Sequence, residues 1–199
     1  MLRVENLSRT GLQPFSFTIN AGECVVVQGA SGAGKTLLMR AVADLDPNEG
    51  TISVNGVDRR SMTGPEWRHL VGYVPAEPGW WAECIADHFP NLAQAQNLAV
   101  RLNLSNDVFN RLVSQASTGE RLRLALVRAL CATPTVLLLD EPTAALDHTG
   151  TLLVEALIRE RLGQGLAVLW TTHDTEQAAR MATRTLVIDN GTVREDIQS

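Results

Sequence analysis

A glycine-rich segment ending in lysine and threonine is the part of this sequence most suited to chemistry. It reads Gly29-Ala30-Ser31-Gly32-Ala33-Gly34-Lys35-Thr36 and follows three valines at 25–27, with only Gln28 between them. A buried strand, a glycine-rich turn and a helix beginning at Lys35 are the parts of a phosphate-binding loop. The turn and the helix N-terminus would hold a triphosphate, with Lys35 reaching the β- and γ-phosphates and Thr36 ligating Mg²⁺. A glycine turn with an incidental lysine is the weaker alternative.

Two carboxylates follow a second apolar run. The segment Val136-Leu137-Leu138-Leu139-Asp140-Glu141 predicts a buried strand whose carboxyl end lies at the ligand-binding edge of a parallel sheet. Asp140 would hold Mg²⁺ directly or through water, and Glu141 would polarise a water that attacks the γ-phosphate. A solvated turn is the alternative, which the upstream loop makes less favoured.

His173 ends the run Trp170-Thr171-Thr172-His173, which places it after another predicted strand. At this edge of the sheet a contact with the γ-phosphate is favoured over a purely structural histidine. Ser117 and Glu120 before an apolar helix form a capping-box pattern. The same helix N-terminus, with Gly119 allowing close approach, is also suited to an anion. Local sequence does not choose between a cap alone and a cap with a phosphate site.

Composition narrows the functional classes. The chain has 199 residues, a net charge of −5, 45% hydrophobic and 20% charged residues. Without a basic stripe, nucleic acid is disfavoured as the main ligand. No apolar run of about 18 residues or charged leader is present, so we expect neither a membrane span nor a secretion signal. The cysteines Cys24, Cys84 and Cys131 lack CxxC spacing, which suits a reducing cytosol and argues against zinc.

Apolar strands alternating with helical segments predict an α/β fold with a parallel sheet covered on both faces. Strands are expected over 2–7, 15–19, 23–28, 51–54, 71–74, 136–139, 166–170, 186–189 and 192–195, and helices over 35–44, 150–162 and 175–182. Asn55-Gly56 and Asn190-Gly191 favour tight hairpins. Residues 86–113, rich in Ala, Leu, Asn and Gln, indicate a small helical subdomain.

Together these segments resemble the nucleotide-binding subunits of ATP-binding cassette (ABC) transporters, over about residues 2–195. Residues 29–36 are similar to Walker A and residues 136–141 to Walker B with its glutamate. Ala144-Ala145-Leu146-Asp147 resembles the D-loop, and His173 matches the switch histidine. Ser117-Thr118-Gly119-Glu120-Arg121 stands where the signature motif commonly reads Ser-Gly-Gly-Gln.

The resemblance implies one domain over 1–199, namely a P-loop NTPase core with an N-terminal antiparallel β subdomain and a helical subdomain at about 80–133. It implies that two cassettes close head to tail over two ATP molecules, with Ser117 and Gly119 binding the γ-phosphate of the other subunit's ATP. Asp147 is then a further nucleotide-binding residue, and Lys35, Glu141 and His173 are the catalytic ones. Hydrolysis would drive a separate membrane permease, with the chain on the inner face of the cell membrane.

Some positions depart from the family pattern. Ala76 stands where the Q-loop glutamine is expected, and the neighbouring Glu77 is a candidate for its metal or water contact. Thr118 replaces a signature glycine and Glu120 the signature glutamine. Residues 8–13 lack the aromatic side chain that usually stacks on adenine. We nevertheless expect an active ATPase, because Lys35, Asp140 and Glu141 are present.

The adjacent indoles Trp80 and Trp81 follow the Q-loop position. Neighbouring side chains cannot both face inward. In the resembling family this segment borders the surface that receives the permease, which implies that at least one indole lies at that interface, with core packing as the alternative. Two other functions remain open at this point. One is a soluble ABC ATPase acting on DNA or ribosomes, disfavoured by the acidic charge and the lack of long insertions. The other is a degenerate cassette that binds ATP as a structural or regulatory dimer.

Overall fold

The computed structural model describes residues 1–196, whose strands form two sheets. The strands are β1 (Leu2–Arg9), β2 (Leu12–Ile19), β3 (Cys24–Gln28), β4 (Glu49–Val54), β5 (Val57–Asp58), β6 (Val71–Val74), β7 (Val136–Asp140), β8 (Ala167–Thr171), β9 (Arg184–Asp189) and β10 (Thr192–Asp196). The helices are α1 (Lys35–Val42), α2 (Gly64–Leu70), α3 (Leu92–Arg101), α4 (Thr118–Cys131), α5 (His148–Gly163) and α6 (Thr175–Met181).

The larger sheet has the strand order β10-β9-β3-β8-β7-β6. β9, β3, β8, β7 and β6 run parallel, and β10 pairs antiparallel with β9. All five residues of β7 and of β8 are buried, as expected for strands covered on both faces. The predicted α/β fold with a mainly parallel sheet is confirmed. β3, β7 and β8 all end at one edge, and this edge positions the candidate site.

The smaller sheet is antiparallel, with the order β2-β1-β4-β5. It packs on one face of the larger sheet with α1, and α3, α4 and α5 cover the other face. The larger sheet therefore has a hydrophobic core on each face, and side chains alternate between them along β3. Val25 and Val27 face the core shared with the smaller sheet and α1, and Cys24 and Val26 face the core shared with α3, α4 and α5. The predicted hairpin turns are confirmed: Asn55 and Gly56 have φ of 51° and 83°.

The helical region differs from its predicted form. Within residues 86–113 the α-helix covers only Leu92–Arg101, and short 3₁₀ turns cover Ile85–His88, Asn106–Asn110 and Val113–Gln115. Asn103 adopts φ of 54°, which ends the helical path, and Ser105 caps the next turn. Buried side chains here, such as Leu98 and Phe109, belong to the same core as Leu137 of β7. The boundary of a helical subdomain at about 80–133 therefore stays a prediction.

Among the helices within residues 1–196, none combines the length and the apolar character that crossing a bilayer requires.

Candidate active site

The glycine-rich loop joins β3 to α1 at the ligand-binding edge. Gly32 and Gly34 have φ of 78° and 114°, a region that side chains disfavour. A Cβ on Gly29 would lie 2.3 Å from the carbonyl oxygen of Ile188, so only glycine fits there. Nζ of Lys35 donates to the carbonyl of Gly29 at 2.8 Å and of Ala30 at 3.2 Å. The ammonium is thus folded back against the loop.

Asp140 ends β7 with only 2% of its surface exposed. Three hydroxyls donate to its carboxylate: Thr36 and Tyr73 to Oδ2 at 2.8 and 3.2 Å, and Thr171 to Oδ1 at 2.8 Å. These donors come from α1, β6 and β8, so the carboxylate joins three elements. Burial, together with the negative charge of Asp140, raises the pKa of Tyr73 well above its usual 10, and the phenol stays a hydrogen-bond donor at neutral pH.

The side chains around Asp140 fit Mg²⁺. The Thr36 hydroxyl and the Asp140 carboxylate are hard oxygen donors, and Mg²⁺ is usually held by one or two carboxylates together with substrate phosphates. In the part of the chain that the structure describes, no cluster of three or more His, Cys, Asp or Glu side chains is placed to hold a metal alone. This arrangement suits a cation that arrives with a triphosphate.

Glu141 follows directly and contacts His173. Its Oε2 lies 3.0 Å from Nδ1 of His173, and their side chains are 19% and 74% exposed. Glu141 has φ of 50°, an uncommon conformation for a side-chain-bearing residue. Its backbone N–H donates to the Thr171 hydroxyl at 2.9 Å, which fixes the turn. The structure therefore brings the proposed base and the histidine together beside Asp140.

Two separate clefts contain most of the predicted site residues, whereas neither lining includes Gly29, Ala30, Ala33, Glu77 or His173. A cleft of about 280 Å³ is lined by Ser31, Gly32, Gly34, Lys35, Thr36, Leu37, Ala76, Asp140 and Glu141. Another of about 510 Å³ is lined by residues that include Ser117, Thr118, Gly119, Arg123, Ala145, Leu146, Asp147 and Gly150. We call them the Walker cleft and the signature cleft. The residues that line one are different from those that line the other.

In the signature cleft, α4 begins at a complete capping box. Oγ of Ser117 accepts the N–H of Glu120 at 3.2 Å, and Oε2 of Glu120 accepts the N–H of Ser117 at 2.7 Å. A Cβ on Gly119 would lie 3.1 Å from the Ala145 carbonyl oxygen, so the helix start packs tightly on the D-loop segment. Asp147 caps α5, since its Oδ1 accepts the N–H of Gly150 at 2.8 Å. The predicted capping box is present.

The two residues at the Q-loop position differ in their relation to the Walker cleft. Ala76 lines the Walker cleft, whereas the exposed Glu77 next to it is not among the lining residues that the structure describes. Its assignment as a metal contact therefore stays a prediction without support from the geometry.

Trp80 and Trp81 enclose a cation. The guanidinium carbon of Arg128, on α4, lies 4.7 Å from the centroid of each indole ring, and Nη2 donates to the Gly79 carbonyl at 3.1 Å. Burial lowers the pKa of Arg128. The ring of His88 packs against both indoles, at centroid distances of 4.8 and 4.5 Å, and its Nε2 accepts the N–H of Trp81 at 3.1 Å. Trp80 is half-buried and Trp81 is 71% exposed, so these neighbours face different surroundings.

A second buried carboxylate, that of Glu155, is linked by hydrogen bonds to the segment that follows Glu141. Glu155 of α5 has no exposed surface and accepts hydrogen bonds from Arg180 at 2.8 and 3.0 Å and from Gln177 at 3.3 Å. Burial opposes ionisation, but these donors outweigh it and lower the pKa of Glu155. Gln177 also bonds to the hydroxyl of Thr143, which lies between Glu141 and Asp147. We call these residues the Glu155 network.

Sequence reasoning missed Tyr73 and Thr171. Each lies one strand away from Asp140, and only the order β6-β7-β8 brings their hydroxyls to its carboxylate. The one local indication that Thr171 belongs to the site was its position two residues before His173.

Known proteins resemble this chain over most of its length. The family model described as ABC transporter matches residues 12–144. A probable anion import ATP-binding protein of Haloferax volcanii is 33% identical, over 92% of this chain and 74% of the relative. A probable iron export ATP-binding protein of Escherichia coli is 32% identical, over 83% and 79%. A molybdate/tungstate import ATP-binding protein of Methanocaldococcus jannaschii is 35% identical, over 96% and 68%.

A solved structure described as the ATP binding subunit of an ABC transporter has the same fold, with a TM-score of 0.87 at 24% identity over 97% of this chain and 88% of that one. The predicted fold class and family are confirmed. Both the family model and the relatives cover the glycine-rich loop and the Asp140–Glu141 pair, whose geometry fits a bound triphosphate. The chain belongs to the ABC transporter family and is one of its ATP-binding ATPase subunits.

Proposed function

We propose that two copies of this chain close head to tail over two ATP molecules with Mg²⁺ and drive a membrane permease. The Walker cleft of one copy would bind each ATP, and the signature cleft of the other copy would close over its γ-phosphate. Opening after hydrolysis would move the permease, and the chain would lie at the inner face of the cell membrane.

The single observation that supports the dimer is that the Walker cleft and the signature cleft share no lining residue. Lys35, Asp140 and Glu141 belong to the Walker cleft, and Ser117 and Gly119 to the signature cleft. The helix N-terminus at Ser117 suits an anion, yet it lies apart from the chain's own loop for the triphosphate. A second copy facing the first would supply what each cleft lacks.

The Walker-cleft residues have distinct roles in this proposal. The backbone of residues 29–36 would surround the phosphates, and Lys35 would exchange its contacts with the Gly29 and Ala30 carbonyls for phosphate oxygens. Thr36 and Asp140 would hold Mg²⁺, which supplies charge neutralisation on the phosphates when bound. If the Thr36 hydroxyl gave up its hydrogen bond to Asp140 in order to bind Mg²⁺, the hydroxyls of Tyr73 and Thr171 would still orient the carboxylate.

Glu141 is the proposed general base. It would accept a proton from water as the water oxygen forms a bond to the γ-phosphorus and the bond to the ADP oxygen breaks. His173, 3.0 Å from Glu141, would orient this carboxylate and contact the γ-phosphate. Asp147 would contribute to the nucleotide interface through the D-loop that it ends.

The permease partner is inferred from the relatives, which carry out import and export in their descriptions. Because the described cargoes differ, they support the class of subunit and not one cargo. We assign the contact to Trp81, whose indole is 71% exposed while it also packs against Arg128 and His88. Exposed aromatic anchors of this kind are enriched at protein interfaces.

The dimer is tested by sedimentation of the Glu141→Gln variant with ATP and Mg²⁺. We expect ATP-dependent dimers that persist because hydrolysis is lost, whereas wild-type dimers decay as ATP is consumed. Glu176→Gln, at a side chain that is 88% exposed on α6, is the matched control and should behave as wild type. A monomer at saturating ATP in the Glu141→Gln variant would overturn the dimer.

The permease contact is tested by purification from detergent-solubilised membranes. Wild type should retain a polytopic membrane protein, identified by mass spectrometry, and Trp81→Ala should lose it without losing ATP-dependent dimers. Val100→Ala, at an apolar side chain on α3 that is 58% exposed, serves as the control. Equal recovery with Trp81→Ala would remove this surface from the proposal.

A further inference from the structure

The signature helix carries a negative charge where an uncharged glutamine is common in the resembling family. Glu120 lies in the first turn of α4 and shares the capping box with Ser117. In the proposed function, which this inference rests on, that helix start receives a γ-phosphate from the other copy. A free carboxylate there would repel the phosphate, since like charges a few ångströms apart interact unfavourably even in water.

Arg111 pairs with this carboxylate. Its Nη1 lies 2.8 Å from Oε1 of Glu120 and its Nη2 lies 3.5 Å from Oε2. Nη2 also donates to the backbone carbonyl of Gln115, two residues before Ser117. The backbone of Arg111 is itself fixed, because its carbonyl accepts the N–H of Ile85 at 3.1 Å. The guanidinium therefore approaches the carboxylate from a separate, anchored segment.

Other cations near the start of α4 have different partners. Nη1 of Arg121 donates to the Ala116 carbonyl at 3.0 Å, and Nε of Arg123 donates to the Gly119 carbonyl at 3.2 Å. Neither contact offsets the Glu120 carboxylate directly. The hydrogen bond from Arg111 is the main reason that the pKa of Glu120 falls to about 2, so the carboxylate is ionised and paired at neutral pH.

We propose that Arg111 is a positioning residue for the signature cleft, which neutralises Glu120 and holds it in the capping box so that the other copy's phosphate can approach. Arg111 acts through Glu120 and has no contact with phosphate in this role. The pair thus makes an acidic signature helix compatible with an anionic ligand.

The inference predicts a specific pattern among variants made in the Glu141→Gln background. Arg111→Met should weaken ATP-dependent dimerisation about tenfold, because an unpaired carboxylate next to the cleft-lining Gly119 then repels phosphate at both sites of the dimer. Glu120→Gln retains the capping pattern without the charge and should dimerise at least as tightly as the parent. The double variant Arg111→Met/Glu120→Gln should return to within about twofold of Glu120→Gln, since no charge is left to repel.

The measurement is sedimentation equilibrium with ATP and Mg²⁺ at about 0.1 M and about 1 M salt, where the Debye length falls from about 10 to 3 Å. The defect of Arg111→Met should shrink at high salt. Arg101→Met removes an ion pair with Glu160 whose arginine is similarly exposed, at 39% against 36% for Arg111. Neither Arg101 nor Glu160 lines either cleft, so this variant is the matched control.

The outcomes separate this inference from the dimer itself. If the Glu141→Gln parent stays monomeric, the proposed function fails. If the parent dimerises but Arg111→Met equals Arg101→Met, the role of Arg111 is overturned. A defect that Glu120→Gln does not rescue would also overturn it, because it would show that Arg111 matters only for the local fold.

Discussion

The hydroxyl of Thr171 donates to Oδ1 of Asp140 at 2.8 Å, across the boundary between β8 and β7. The hydroxyl oxygen of Thr171 also accepts the N–H of Glu141 at 2.9 Å, so one hydroxyl orients both the metal-site carboxylate and the turn that carries the proposed base. Thr171 is fully buried, and water cannot replace this contact.

Thr171→Val keeps the shape of the side chain and removes the hydroxyl. We expect the free energy of unfolding to fall by about 2 kcal/mol, because a buried carboxylate oxygen loses its donor. ATP hydrolysis should fall more than ATP binding, since Glu141 loses a support. Urea unfolding and steady-state ATPase assays check this, and Thr171→Ser should retain both properties. Wild-type turnover in Thr171→Val would contradict the assigned role.

Tyr73→Phe removes a different donor from the same carboxylate. The Tyr73 hydroxyl lies 3.2 Å from Oδ2 of Asp140, the oxygen that also accepts from Thr36. Since residues that orient a metal ligand typically affect metal affinity 10- to 100-fold, we expect the Mg²⁺ concentration for half-maximal binding of a fluorescent ATP analogue to rise about tenfold. Binding without Mg²⁺ should be unchanged. An unaltered Mg²⁺ requirement would exclude this role.

Gly119→Ala tests the contact between α4 and the D-loop. The added Cβ would meet the Ala145 carbonyl oxygen at 3.1 Å and Cδ2 of Leu146 at 3.2 Å, so the D-loop must shift. We expect weaker ATP-dependent dimerisation with little change in ATP binding to the monomer. Gly163→Ala, where a Cβ would meet nothing within 4 Å, is the control. Equal dimerisation by the two variants would show that the D-loop adapts freely.

Arg128→Met removes the cation enclosed by the two indoles. Because each cation–π contact contributes about 0.5–2 kcal/mol, we expect the free energy of unfolding to fall by about 1–3 kcal/mol, with faster acrylamide quenching of tryptophan fluorescence. Arg194→Met, at an exposed arginine of β10, should have neither effect. If quenching is unchanged in Arg128→Met, the guanidinium does not hold the indoles.

Asp46 gives a pH dependence of stability. Hydrogen bonds from Arg40, and then from Arg9, lower the pKa of Asp46 from 3.8 to about 2. The folded state therefore favours the charged carboxylate, and this stabilisation is present above about pH 4 and lost as the pH falls towards 2. Asp46→Asn should be less stable than wild type at pH 6, and the difference should shrink between pH 4 and 2. Thermal unfolding across this range measures it; a constant difference would contradict the prediction.

The sequence predicted those elements whose conformation is determined by a few neighbouring residues. The glycines before Lys35 require a turn, Asn55-Gly56 requires a hairpin, and the apolar run before Asp140 requires burial on both faces. The contacts of Asp140 with Tyr73 and Thr171 were not predictable in this way, because they depend on the order and register of three strands. The pairing of Arg111 with Glu120 likewise depends on how the 3₁₀ turns fold against α4.

The Glu155 network has a consequence for how ATP is used. It joins α6, which begins just after His173, to Thr143, which lies between Glu141 and Asp147. A shift of the D-loop in one copy of the proposed dimer would thus reach that copy's own His173 and Glu141. The two sites would then turn over cooperatively, with a rate that rises more steeply with ATP concentration than independent sites allow.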